Sequence, residues 1–188
     1  MNNLTAGFLK KIGHFSEKEI TLLKEEIQYR TLKKDEILLD KGNICNALSF
    51  VLKGAFYQFK TDSDLNNTII DLNVAEDWII NHKSFTTQKP SEYYIKAYEE
   101  SQICFLTINS IHKLIAKSQS FLQMGKILEA SISRIDFFDN NNTPDEKYQY
   151  LIKNKPEIIQ RFPQKIIASY LKITPETLSR VRNRFSKL

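Results

Sequence analysis

The sequence predicts an α+β fold, with a β-roll or barrel in the first half of the chain and helices after it. Three observations carry this. Between residues 31 and 106 lie six short runs rich in β-branched and aromatic residues (EILLD, ALSFVLKG, AFYQFKT, NTIIDLNV, YYIKAYE and QICFLT), separated by turn residues. After Thr107 the apolar spacing becomes helical. Residues 164–185 read as two short helices joined by a tight turn.

The opening segment, MNNLTAGFLKKIGHF, is too polar for the apolar core of a secretory signal. No apolar run approaches the roughly 18 residues a membrane helix needs. A cytoplasmic protein with no membrane partner is expected. Ser16 and Glu19 form a capping box that starts the first helix. Ile20, Leu22, Leu23 and Ile27 then give it an apolar face up to about Tyr29.

Turn signals punctuate the strand region: Asp40-Lys41-Gly42-Asn43, Gly54, Asp62-Ser63-Asp64 and Lys89-Pro90-Ser91. Glu76 and Asp77, read as neighbours on a strand, point to opposite faces and make no carboxylate pair. Cys45 and Cys104 sit among apolar residues and read as buried hydrophobes, not as a disulfide or metal ligands.

Residues 109–118 predict a short helix with Ile111, Leu114 and Ile115 on one face. Residues 120–139 predict a longer one, whose Met124, Leu128, Ser131, Ile135 and Phe138 form a stripe at heptad spacing. Phe121, Leu122, Ile127 and Ile132 widen that stripe. The extra width suggests a second partner, such as the same helix of another chain; packing inside one subunit is the alternative. Asn140-Asn141-Asn142-Thr143-Pro144-Asp145 reads as a linker followed by a helix start. The expected domains are residues 1–119, the helix 120–139, and residues 140–188.

Charge is uneven along the chain. Residues 140–188 carry 10 Lys/Arg against 4 Asp/Glu, whereas residues 1–139 carry 17 against 18. A basic C-terminal quarter suits a polyanion such as DNA, although a solvated basic tail has the same composition.

Within that quarter, Ile167, Leu171, Ile173, Leu178 and Val181 occupy the positions that fill the small core of a helix-turn-helix. Ala168 is small where the helices cross. Thr174 caps the second helix, Pro175 suits its first turn, and Glu176 favours the positive end of its dipole. Glu176 and Arg180 then share an exposed face able to enter a major groove, Arg180 reaching guanine O6 and N7 and Glu176 accepting from cytosine N4. Thr174, Thr177 and Asn183 lie at the same surface and are further candidate DNA contacts. Gln164, Lys165, Ser179, Arg182 and Arg184 are placed for phosphates. Lys172 stands where such turns usually carry Gly, so a left-handed backbone there costs about 1 kcal/mol. An ordinary helical hairpin with a surface Glu176–Arg180 pair is the competing reading.

The run Ile173-Thr174-Pro175-Glu176-Thr177-Leu178-Ser179-Arg180 resembles the recognition-helix signature of the Crp/Fnr regulators. Leu38-Leu39-Asp40-Lys41-Gly42 and Ser49-Phe50-Val51-Leu52-Lys53-Gly54 resemble that family's β-roll with its two turn glycines. The helix at 120–139 falls where the family has its dimer helix. The resemblance covers nearly the whole chain. It implies an α+β fold with an N-terminal cyclic-nucleotide-binding-like β-roll (jelly-roll) and flanking helices, a long dimerisation helix, and a C-terminal helix-turn-helix of winged-helix type. It also implies a homodimeric transcription regulator that binds double-stranded DNA, with RNA polymerase and an unidentified small-molecule effector as further candidate partners.

The departures from the family pattern matter as much. In its cyclic-nucleotide binders a Gly-Glu pair is followed about ten residues later by Arg and Ser or Thr; here Ile80 and Asn81 replace the first pair, and Ser91 and Glu92 the second. A cyclic phosphate needs a cation there and a carboxylate would repel it, so no tight cyclic AMP or GMP binding is expected. Lys83, Lys89 and Lys96 could serve an anion only in another geometry. The candidate pocket residues carried over from the resemblance are Ile80, Asn81, Ser91, Glu92 and Ser131, with the bulk of Trp78, Tyr93 and Tyr94 expected to fill the interior.

Two cysteines cannot hold an iron–sulfur cluster, and His82 alone reads as an ordinary side chain and not a haem ligand, so no cofactor is expected. The chain ends at Leu188 without the family's β-hairpin wing, and DNA affinity is expected to rest on Arg180, Arg182, Arg184 and dimerisation. A second reading keeps the roll as a ligand sensor but has the C-terminal domain contact protein instead of DNA. No nucleophile elbow, phosphate loop or paired histidines support an enzyme.

Overall fold

A computed structural model describes residues 12–63, 66–139 and 142–186. The expected turn residue Asp64 and the linker residues Asn140 and Asn141 lie outside the described residues, as do residues 1–11, 187 and 188. Among the described residues no helix is long and apolar enough to cross a membrane.

The chain opens with α1 (Glu17–Glu26), held by the Ser16/Glu19 capping box. Its end differs from expectation. Ile27 is already extended, and Gln28–Leu32 forms strand β1. Residues 28–32 leave the helix because they pair antiparallel with Ser101 to Phe105, a long-range partner that local spacing does not reveal. Then follow β2 (Ile37–Leu39), β3 (Ala47–Lys53), β4 (Ala55–Thr61), β5 (Asn67–Val74), the short β6 (Trp78–Ile79), β7 (Tyr94–Ala97) and β8 (Ser101–Thr107).

These strands form two four-stranded antiparallel sheets, ordered β1-β8-β3-β6 and β2-β7-β4-β5. The inner faces meet in a core that includes Leu39, Phe50, Phe56, Ile95 and Ile103. This is the expected roll. Gly42 and Gly54 both adopt positive φ, at 88° and 97°. A side chain on Gly54 would collide with Ser101, whose hydroxyl accepts from Ala55 N at 3.2 Å. Glu76 and Asp77 occupy a turn and not a strand: Glu76 is left-handed at φ 68°, and the Asp77 carboxylate accepts from Val74 N.

Helix α2 (His82–Thr87) bridges β6 and β7, and α3 (Ile108–Lys117) follows β8 with Thr107 as its cap. The long helix predicted from residue 120 does not start there. Gln119–Met124 is a 3-10 helix capped by Ser118, and the α-helix proper is α4 (Gly125–Asp139). Burying Phe121 completely beside Phe15 sets this tighter first turn. Along this segment the Met124, Ser131 and Phe138 side chains are buried within this one chain, and Leu128 and Ile135 are half-buried.

The rest is helical: α5 (Pro144–Asn154), α6 (Pro156–Arg161), α7 (Gln164–Tyr170) and α8 (Pro175–Phe185). Thr143 and Glu146 make a second capping box at the start of α5. These helices do not stand apart from the roll. Ala55, Phe59, Ile69, Leu72 and Val74 of β4 and β5 join Tyr148, Leu151, Ile158, Phe162, Ile167 and Leu178 in one apolar cluster. From Ile69 to Val74 every residue of β5 is buried, because its sheet is covered on both faces.

Candidate nucleic-acid interface and effector site

Helices α7 and α8 form the predicted helix-turn-helix. Ile167, Ala168, Leu171, Leu178 and Val181 are each at most 2% exposed, and Ile173 is half-buried against them. Lys172 is left-handed at φ 58°, as the turn demands. Its amide bonds Ser169 O and that of Ile173 bonds Ala168 O, which closes α7 with a Schellman motif. A lysine at this glycine position also ties the turn to the roll, since its Nζ donates to Ile69 O of β5 at 2.8 Å.

Thr174 caps α8 by accepting from Thr177 N at 3.2 Å, and Pro175 opens the helix. Glu176, Ser179, Arg180 and Asn183 are exposed together on the face opposite Leu178 and Val181. Hydrogen bonds from its own backbone amide and from Thr174 hold the Glu176 carboxyl below its ordinary range, with Arg180 adding to the effect. An ionised acceptor and an exposed guanidinium thus share this face. Gln164, Ser179 and Asn183 also share one shallow groove with Arg182.

Two predicted contacts, Thr177 and Arg184, are engaged elsewhere, and a third, Lys165, lies apart. Thr177 is half-buried and tied to Thr174, so it belongs to the cap. Lys165 lines a separate groove between α7 and the roll, beside Tyr57 and Tyr98. Arg184 makes a two-pronged ion pair with Asp145 at the start of α5, Nε to Oδ1 at 2.9 Å and Nη2 to Oδ2 at 2.5 Å. Its guanidinium fastens α8 to α5 instead of standing free for phosphate.

The residues that join the helix-turn-helix to the roll were not legible as a site. Asp71 of β5 is 2% exposed and receives Arg134 of α4 through two hydrogen bonds, while the Tyr170 hydroxyl lies 3.4 Å from its Oδ1. Burial opposes the charge on Arg134, yet Asp71 outweighs it and holds the guanidinium proton more tightly than usual. Burial, reinforced by Asp71, raises the Tyr170 phenol well above its ordinary value. Lys155 pairs with Asp77 and Arg161 with Glu99, and Ile69 N donates to Ser169 Oγ at 3.0 Å. The only clue in the sequence was an aspartate amid the apolar run of β5.

The cassette positions are rebuilt. Ile80 is buried in the core. Asn81 caps α2 through Ser84 N at 3.1 Å and donates Nδ2 to Ser91 Oγ at 2.8 Å. Ser91 in turn donates to Tyr93 O at 2.7 Å. A neutral hydrogen bond therefore joins the two positions that would flank a cyclic phosphate. Glu92 does not enter the site: it pairs with Lys83 at 2.7 Å, both side chains 65% exposed. Ser131 is 2% exposed, and its hydroxyl has no hydrogen-bond partner among the described residues.

The interior is not filled as expected. A cavity of about 200 Å³ remains, with Gln58, Asn81, Tyr93 and Ile135 in its lining. Tyr94 turns away from it and stacks on Phe59 at 5.1 Å.

Residues 29–118 match the family model described as the cyclic nucleotide-binding domain. No curated protein matches the sequence. Among solved structures, FixK2 from Bradyrhizobium japonicum is similar with a TM-score of 0.69 at 15% identity, over 86% of this chain and 85% of that one. The catabolite activator protein of Thermus thermophilus gives 0.59 at 14% identity, over 95% and 87%. A mutant of CooA from Carboxydothermus hydrogenoformans gives 0.63 at 16% identity, over 100% and 86%. At these identities the likeness is one of fold, and it runs through both the roll and the C-terminal helices. Residues 29–118 thus match the cyclic nucleotide-binding domain, and the chain as a whole shares the fold of these three proteins.

Proposed function

We propose that this protein is a sequence-specific DNA-binding transcription regulator of the Crp/Fnr type, active as a homodimer and unresponsive to cyclic AMP. The observation that carries the reading is the row Glu176, Ser179, Arg180 and Asn183, exposed on a helix anchored by Leu178 and Val181. Such a helix presents base-reading groups to a major groove while its buried side fixes their register. The basic surplus of residues 140–188 supplies the attraction to phosphate. Leu122 and Ile132, 61% and 38% exposed beside α4 and on it, are apolar surface that a second copy would cover. The Asn81–Ser91 bond leaves no guanidinium where a cyclic phosphate would need one.

The test is a binding selection on randomised duplex DNA with the full chain, followed by titration across salt concentrations. A preferred site with two-fold symmetry, and affinity that falls steeply with salt, is the expected result. Absence of any sequence preference at moderate salt would overturn the reading.

A further inference from the structure

Between the two sheets of the roll lies a well of about 120 Å³, separate from the cavity beside α4. The two share no lining residue, and neither α4 nor the helix-turn-helix contributes to this one. Its floor is apolar: Ile79 and Ile103 come from one sheet, Leu39 and Ile95 from the other. Arg30 and Asn46, both exposed, stand at its mouth. Arg30 already pairs with Glu36 at 2.8 Å, and no carboxylate lines the well, so nothing in it calls for an ion.

A second observation points to a ligand. Ser49 of β3 is 5% exposed and lines the well, yet its hydroxyl forms no hydrogen bond among the described residues. Its register partners, Phe105 on β8 and Ile79 on β6, also line the well, which sets all three side chains on one face. A buried hydroxyl without a partner is costly, and a protein seldom keeps one without a use for it. Cys45, also in the lining, directs its thiol to Ala47 O at 3.6 Å, and burial raises that thiol, so it stays neutral. A water is poorly held here, because it needs about two to four polar partners and the floor offers one. Apolar cavities of about 150 Å³, by contrast, stay dry and accept benzene.

We propose that this well binds a small neutral molecule with an apolar body and one hydrogen-bonding group, of which phenol is the simplest case. The polar group bonds the Ser49 hydroxyl, and the body packs against Ile79, Ile95 and Ile103. The volume sets the size: at about 120 Å³ the well holds one six-membered ring and little more, far below the roughly 300 Å³ at which pockets for drug-sized ligands begin. Balanced charge at the mouth and a neutral thiol inside select against ions, whose desolvation nothing here would offset. The inference goes beyond the reading of this chain as a DNA-binding regulator and does not depend on it, since no residue of α7 or α8 lines the well. A ligand between the sheets ties β3, β6 and β8 to β2 and β7, so occupancy stiffens the roll itself.

The experiment is titration of the full chain with phenol and with benzene, followed by calorimetry and thermal melting. Saturable binding of phenol at one site, tighter than that of benzene, is expected, with a rise in melting temperature. Ser49→Ala should weaken phenol by roughly fivefold and leave benzene unchanged, which removes the preference between them. Ala47→Phe, at a half-buried position in the lining, should block both probes. Lys60→Gln, an exposed residue lining the cavity beside α4, should alter neither. Absence of saturable binding by phenol, or equal phenol binding by wild type and Ser49→Ala, would overturn the inference. So would loss of binding in Lys60→Gln, which would move the site to the other cavity. Should Ala47→Phe fail to fold, the two probes on Ser49→Ala decide the matter alone. No DNA enters this measurement, so its failure is distinct from a failure of DNA binding.

Discussion

The guanidinium of Arg134 closes on the carboxylate of Asp71 through two hydrogen bonds, Nε to Oδ1 at 2.9 Å and Nη2 to Oδ2 at 2.5 Å. Their side chains are 12% and 3% exposed, so this is an ion pair inside the protein, joining α4 to β5. Tyr170 brings the first helix of the helix-turn-helix to the same carboxylate.

Arg134→Ala leaves the Asp71 charge buried without its partner and is expected to destabilise the fold by about 3–5 kcal/mol. Replacing both, as Asp71→Leu with Arg134→Met, should recover most of that loss, because neither charge is then stranded. Urea unfolding of the two single variants and the double variant measures this. Additive losses would show that the two groups act separately.

Glu19 carries a pH signature. Hydrogen bonds from the Ser118 hydroxyl and the Ser16 amide lower its carboxyl from 4.5 to about 2. A depressed folded value means that its stabilisation is complete above pH 4.5 and is lost as pH falls through about 2. Wild type should therefore melt above Glu19→Gln at neutral pH, with the gap closing between those limits. A gap that stays constant down to pH 2 would contradict the assignment.

Lys172 allows backbone and side chain to be separated. Lys172→Ala keeps the strained φ of 58° and loses the bond to Ile69 O, whereas Lys172→Gly loses the bond but relieves the strain. The alanine variant should be the less stable by on the order of 1 kcal/mol in chemical denaturation. In both, the amide of Ile69 should exchange hydrogen faster than in wild type.

Arg180 and Arg184, four residues apart on α8, should behave differently. Arg180→Ala should weaken specific DNA binding by roughly tenfold to a hundredfold and relax one base position in the selected site. Arg184→Ala breaks the pair with Asp145, so its effect should fall on the melting temperature and leave base preference intact. Loss of specificity from Arg184→Ala alone would reverse the roles given to these two residues.

The sequence by itself determined what short-range chemistry controls. The capping box at Ser16 was readable because cap and acid lie three residues apart, and Thr143-Pro144 marked the start of a later helix. The helix-turn-helix core from Ile167 to Val181 was readable for the same reason, as were the turn glycines Gly42 and Gly54. Only the tertiary structure decided what distant residues do to one another. It took residues 28–32 from the first helix by offering them β8, and it diverted Arg184 to Asp145, 39 positions away. It joined Asn81 to Ser91, and it set Arg134 on Asp71 across 63 positions. Periodicity and capping record the nearest few neighbours along the chain. A strand pairing or a buried charge is settled by whichever distant group arrives, and that is fixed only when the roll and the helices share one core.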